Sequence, residues 1–89
     1  PNKRGHEPLK IKILLFASAR ELVDRPTLEL EFPPGTTVGQ LRAALAEEFP
    51  AMADLLPRSM LAIETSYASD ATLLADGDEV AVIPPVSGG

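Results

Sequence analysis

The chain closes on Ser87-Gly88-Gly89, directly after the apolar run Val80-Ala81-Val82-Ile83 and the pair Pro84-Pro85. Two successive glycines carry no side chain, so the final peptide unit and its carboxylate can pass through a slot that excludes any other residue. The carboxylate of Gly89 is therefore the candidate reacting group, and Pro84, Pro85, Val86, Ser87 and Gly88 form the segment that would be threaded. A glycine pair at a chain end also reads as a frayed tail, and the residues alone leave both readings open. Other candidates for chemistry are weaker. Asp76, Asp78 and Glu79 gather three carboxylates, but an oxygen-ligated cation takes about six or more ligands. Asp76-Gly77-Asp78 is turn chemistry, with Gly77 supplying a positive φ, so the segment is read as a solvated hairpin turn and no metal is assigned. His6 is the single histidine and has no second ligand or carboxylate at fixed spacing. Cysteine is absent, which excludes disulfides, cysteine zinc sites and a cysteine nucleophile.

The elements that must position the tail follow from periodicity. Residues 1–8 are polar, lack periodicity and read as a flexible arm; residues 9–83 form the folded domain; residues 84–89 form an extended tail. Leu9 to Ala17 begins in strict alternation and becomes continuously apolar, as a strand does on entering a sheet interior. Ser18 is placed to cap a short helical turn through Ala19-Arg20-Glu21-Leu22 that Asp24 and Pro26 end. Thr27 to Phe32 alternates with period two and predicts an antiparallel strand paired with the first. Thr37-Val38-Gly39-Gln40 has capping-box spacing and opens a helix. Val38, Leu41, Ala44, Leu45 and Phe49 share one face of it, while Arg42, Glu47 and Glu48 fall largely on the other. Pro50 breaks that helix, and one more turn fits between Ala51 and Leu56. Met60 to Glu64, a short piece at Ser66-Tyr67-Ala68, and Glu79 to Ile83 complete the strands. The order predicts an α+β roll, a small mixed sheet of four to five strands with one main helix on one face. The first and last strands are the most apolar and should lie adjacent and parallel in the middle.

Composition limits the partners. The chain has 89 residues, enough for one domain with a single modest core, and thirteen acidic against eight basic residues give a net charge of −5. That sign argues against nucleic acid and anionic membranes as partners and favours a basic protein surface. No apolar run approaches the ~18 residues of a membrane span, and no signal peptide opens the chain, so a soluble cytoplasmic protein is expected.

Phe16-Ala17 with Arg20-Glu21-Leu22, the turn Asp76-Gly77-Asp78-Glu79-Val80 and the tail Ile83-Pro84-Pro85-Val86-Ser87-Gly88-Gly89 together resemble the small, sulfur-carrier subunit of molybdopterin synthase. The resemblance runs from about Leu9 to Gly89. Gly-Gly alone is shared with ubiquitin-like modifiers and the thiamine sulfur carrier; the longer motif is more specific. The resemblance implies a β-grasp, ubiquitin-like fold. It implies no bound cofactor, ATP used by an adenylating partner that resembles ubiquitin-activating enzymes, and a thiocarboxylate on Gly89. It further implies a heterotetramer of two small and two large subunits in which the large subunit supplies the catalytic side chains. By the pattern's positions Phe16, Tyr67 and Ile83 correspond to a hydrophobic patch pressed against both partners. Around the stiff Pro84-Pro85 pair, Val82, Ile83 and Val86 offer apolar anchors for docking. For Phe16 and Ile83 a core role stands equally open. Where relatives often carry asparagine at the end of the third strand, this chain has Glu64. Alternative functions are a ubiquitin-like protein modifier, a sulfur carrier for thiazole or thiolated tRNA, and an adaptor without chemistry.

Overall fold

Strict alternation at Leu9-Lys10-Ile11-Lys12-Ile13 sets the first strand, and the computed structural model, which describes residues 7–85, shows what it supports. Strand β1 spans Leu9–Leu15, helix α1 Ala17–Val23, strand β2 Thr27–Phe32 and helix α2 Val38–Glu48. Two 3-10 turns, Pro50–Met52 and Leu56–Arg58, lead into β3 Met60–Ile63, β4 Ser66–Tyr67 and β5 Glu79–Ile83. The five strands lie in the order β2-β1-β5-β3-β4. Strands β1 and β5 run parallel, and every other neighbouring pair is antiparallel. This is the mixed sheet of a β-grasp roll, with the apolar first and last strands side by side.

Odd-numbered residues of β1 and even-numbered residues of β5 face the core. Ile11, Ile13, Leu15, Val80 and Val82 are buried there with Leu28, Phe32 and Leu61 from the flanking strands. Val38, Leu41 and Leu45 of α2 close the core from one side, joined by Met52, Leu56 and Leu74 from the irregular segments. Burying each such side chain is worth ~1.5–3 kcal/mol, the dominant favourable term in a domain of this size.

The N-terminus of α2 is fully satisfied. The Thr37 hydroxyl accepts from the amide of Gln40 at 3.2 Å, and the Gln40 side chain accepts from the amide of Thr37 at 2.9 Å, the capping box read from the sequence. The amides of Val38 and Gly39 donate to the carbonyls of Thr72 and Asp70, each at 2.9 Å. The loop after β4 is thus laced across the helix end. Gly39 permits this approach: a Cβ there would meet Asp70 Cβ at 3.0 Å.

Several local expectations are corrected. Ser18 is not a helix cap; α1 begins at Ala17, behind Phe16, with no side-chain cap bond. The chain must reverse directly after Leu15, and it does so through an extended Phe16 and a left-handed Ala17 at φ 50°. Arg42 does not lie on the wet face of α2 with Glu47 and Glu48. Its guanidinium folds inward and donates to the carbonyls of Leu56 and Ser59, while also pairing with Asp70 at 3.0 Å. The segment around Pro57 needs donors for its carbonyls, and Arg42 supplies them. The expected single turn after Pro50 is two 3-10 turns, the second containing Pro57. Finally, Asp76-Gly77-Asp78 is not a hairpin. Asp76 Oδ1 accepts from the amide of Lys10 at 2.7 Å, and the amide of Gly77 donates to the carbonyl of Lys10 at 2.9 Å. The turn fastens the start of β5 to β1, with Gly77 at the expected positive φ of 88°.

Two stability predictions follow from these contacts. Arg42→Ala leaves the Ser59 carbonyl without a donor and the Leu56 carbonyl with the Ser59 amide alone, and should lower the unfolding free energy by about 1–3 kcal/mol. Asp70→Asn, on a largely exposed carboxylate, should cost less than about 1 kcal/mol; urea titrations compare the two. Glu64 holds a left-handed backbone, φ 61°, a conformation that asparagine tolerates far better. Glu64→Asn should therefore raise stability by about 0.5–1 kcal/mol, read as a higher urea midpoint at unchanged slope.

Candidate functional site: the outer face of the sheet beside the tail

Strand alternation sends side chains to two faces, and the face away from α2 gathers the residues of interest. Register places Leu14, Ala81, Ala62 and Tyr67 in one row across β1, β5, β3 and β4. In the next row toward the tail, Ile83 stands opposite Met60. Phe16 is extended and continues the alternation of β1 past Leu15, so it projects on the same face at the level of Ile83. Phe16 is 48% exposed, Met60 50% and Tyr67 68%, while Leu14, Ala81 and Ile83 are half-buried between them. These side chains make a contiguous apolar surface at the end of the sheet from which Pro84 leads on. A patch of this kind on a small domain marks an interaction surface.

Of the residues named from the sequence, Phe16, Tyr67 and Ile83 come together on this face. For Phe16 and Ile83, where core and surface were both open, the structure chooses the outer face. Val82 does not join them. It lies opposite Leu15 and Leu61 in the core row and is wholly buried, because successive residues of a strand point to opposite faces. Pro84 is buried as well, so it packs with the domain, and Pro85 after it is exposed. Val86, Ser87, Gly88 and Gly89 lie outside the described residues, as do residues 1–6 of the N-terminal arm with His6.

Met60 and Leu14 were missed in the sequence. Period two would have found them: once Leu61 and Leu15 are core, Met60 and Leu14 must face outward. What the sequence does not show is that β3 lies beside β5, which alone brings Met60 next to Ile83.

The described side chains offer binding rather than bond-making groups. Among the described residues no three His, Asp or Glu side chains are close enough to hold a metal ion. Asp76 and Asp78 spend carboxylate oxygens on the amides of Lys10 and Ala75. The side-chain hydroxyls of Ser59 and Thr36 serve backbone carbonyls. Among the described residues no helix is long and apolar enough to cross a membrane.

A ubiquitin-like β-grasp domain whose central strand runs out beside an exposed apolar face is the class that fold and surface define. The chain belongs to the ThiS family, whose sequence profile matches residues 13–89. It is 40% identical over 81 residues to the molybdopterin synthase sulfur carrier subunit of Arabidopsis thaliana, covering 91% of this chain and 84% of that protein. To the subunit of the same name from Mycobacterium tuberculosis it is 40% identical over 82 residues, covering 91% and 99%. Among solved structures, small archaeal modifier protein 1 from Methanosarcina acetivorans superimposes with a TM-score of 0.75 at 26% identity, covering 93% of this chain and 99% of that one.

The division between face and core is testable by stability alone. Val82→Ala should lower the unfolding free energy by about 2–3 kcal/mol, as truncation of a buried aliphatic side chain does. Tyr67→Thr, on a strand-compatible exposed site, should cost less than about 1 kcal/mol. Equal costs in thermal or urea unfolding would contradict the assignment.

Proposed function

We propose that the chain is the sulfur carrier of a molybdopterin synthase, and that the carboxylate of Gly89 is its working group. The observation that carries this reading is the family match, which extends to Gly89, together with 40% identity to curated sulfur carrier subunits. The chemistry fits the residues. A carboxylate is a poor electrophile, so an adenylating partner that consumes ATP converts it to an acyl adenylate with loss of pyrophosphate. A sulfur nucleophile then displaces AMP and leaves a thiocarboxylate on Gly89. That sulfur attacks cyclic pyranopterin monophosphate, and two loaded carriers supply the two sulfurs of the dithiolene in molybdopterin. The chain contains no cysteine, so the sulfur rides on the backbone end rather than on a side chain.

In this reading the domain is a handle and the partner supplies catalysis. The relatives are named as a subunit of the synthase, which implies at least one further subunit. We take it to be a large subunit in a complex of two small and two large chains, assembled in the cytoplasm. Phe16, Met60, Tyr67 and Ile83 form the face that both the large subunit and the adenylating enzyme would grip in turn. Pro84, already packed against the domain, and Pro85 restrict the segment that follows. Each residue ordered on binding costs ~1–2 kcal/mol, so a tail already restrained at its root docks at lower cost.

Likeness to a small archaeal modifier protein favours a second reading, in which activated Gly89 is passed to a lysine amine of a target protein. One experiment separates them. Incubation with an adenylating enzyme, ATP and a sulfur donor should add to the intact mass the difference between one sulfur and one oxygen, located at Gly89. Gly88→Val should abolish transfer to the pterin while leaving thermal unfolding unchanged. Isopeptide-linked species without the sulfur adduct would establish the modifier instead, and full transfer by the Gly88→Val chain would overturn the threading.

A further inference from the structure

Strands β2 and β4 end the sheet; β4 has two residues, whereas β2 has six in unbroken register with β1. The amide of Leu15 donates to the carbonyl of Pro26 at 2.9 Å, and these residues stand opposite each other one step beyond the Leu14–Thr27 pair. An antiparallel ladder alternates between bonded and non-bonded pairs. Leu28, Leu30 and Phe32 therefore exchange main-chain bonds with β1, and Thr27, Glu29 and Glu31 turn their amides and carbonyls away from the sheet. No hydrogen bond among the described residues takes up the main-chain groups of these three. A row of free donors and acceptors of this length is a template for another strand.

Charge says which strand fits. On the outer face Glu79, Lys12 and Glu29 stand in register across β5, β1 and β2, and Lys10 and Glu31 across β1 and β2. The signs alternate from strand to strand, and a strand added beyond β2 continues both rows only if it brings cations opposite Glu29 and Glu31. Among the described residues the one ion pair within 4.0 Å is Arg42 with Asp70, so neither glutamate is held at that distance by its lysine neighbour. These lysines and glutamates border an open concavity of about 470 Å³. A second copy of this chain does not fit. Antiparallel pairing of β2 with itself sets Glu29 against Glu29 at greatest overlap, and the shift that keeps both glutamates paired sets Glu29 against Glu31, like charges directly opposite each other across the two strands.

We propose that the β2 edge is a docking site for an extended segment of a partner protein that carries basic residues at two alternate positions and joins the sheet beyond β2. The residue between them and the one beyond the Glu29 position point to the helix side, beside the half-buried Leu30 and the buried Leu28, and are apolar. This site is separate from the apolar face beside the tail and stands whether or not Gly89 carries sulfur. Main-chain bonds would supply affinity and the alternating cations selectivity.

The test is a nuclear magnetic resonance titration of the full chain with an acetylated, amidated pentapeptide of alternating lysine and valine. At saturation, hydrogen exchange of the Thr27, Glu29 and Glu31 amides should slow by at least about tenfold. The double variant Glu29→Lys, Glu31→Lys should weaken binding by about tenfold or more and shift preference to a peptide of alternating glutamate and valine. The same lysine peptide N-methylated at its lysines should not bind, because those amides face the edge. Slow exchange of the three amides in the free chain, equal binding of the acidic peptide, perturbation confined to Phe16, Met60 and Tyr67, or no binding at millimolar peptide would each overturn the proposal.

Discussion

Parallel pairing of β1 with β5 cannot be closed by a tight turn; the chain must travel from one end of the sheet back to the other before the second strand begins. Everything between Leu15 and Glu79 is that return journey, and its parts are what the sheet needs for cover. The antiparallel β2 shields one side of β1, α2 crosses the core face, and β3 and β4 shield the far side of β5. The pairing is fixed where it starts: Asp76 and Gly77 bind both main-chain groups of Lys10, and the amide of Lys12 donates to the carbonyl of Asp78 at 3.0 Å. A one-residue slip there would move Val80 and Val82 out of the core and Ile83 into it. Register at the turn therefore decides which side chains the domain displays.

The outer face divides along the strands. At the starts of β1 and β5 it carries Lys10, Lys12, Glu29, Glu31 and Glu79; at their ends it carries Leu14, Phe16, Met60, Tyr67 and Ile83. Apolar exposure on a lone domain is a liability, and its confinement to the end beside the tail has a physical sense. Under the proposed function, a partner that gripped that end would hold Pro84 and Pro85 at the same time, and the binding energy of the face and the placement of Gly89 would be gained in one event. The charged half keeps the rest of the sheet wet and soluble.

Much of this was legible in the residues. Period two located the strands, capping-box spacing located α2 to the residue, and an Asp-Gly-Asp sequence marked a turn with a left-handed glycine, because each is a local rule written in adjacent side chains. The adjacent, parallel placement of β1 and β5 was also legible, from their apolar content. What was not legible depends on contacts distant in sequence. Arg42 reads as a surface charge on a helical wheel, and only the return of residues 56 to 59 beneath it gives it carbonyls to bind. Val82 and Ile83 are equally apolar, and both read as anchors for a partner, although neighbours on a strand cannot share a face. Pro84 reads as tail because prolines mark boundaries, yet a proline needs no amide partner and packs readily at the end of a strand. Ser18 has the right chemistry for a cap, but the reversal after Leu15 was complete before the chain reached it.

The two sheet edges show how the fold handles exposed backbone. Strand β4 is two residues long, too short to template a neighbour, and brevity is its protection. Strand β2 cannot be short, since Leu28 and Phe32 are needed in the core and Leu30 packs beside them; its outward residues must then do the protecting. Glutamates at alternate positions repel a copy of the same edge and leave the main-chain groups accessible to a strand of opposite charge. Protection by length excludes every partner, whereas protection by charge excludes only some. A domain with a net charge of −5 that concentrates paired acids on its one long edge has kept that edge selective instead of closing it, and the apolar face beside the tail remains a separate place of contact.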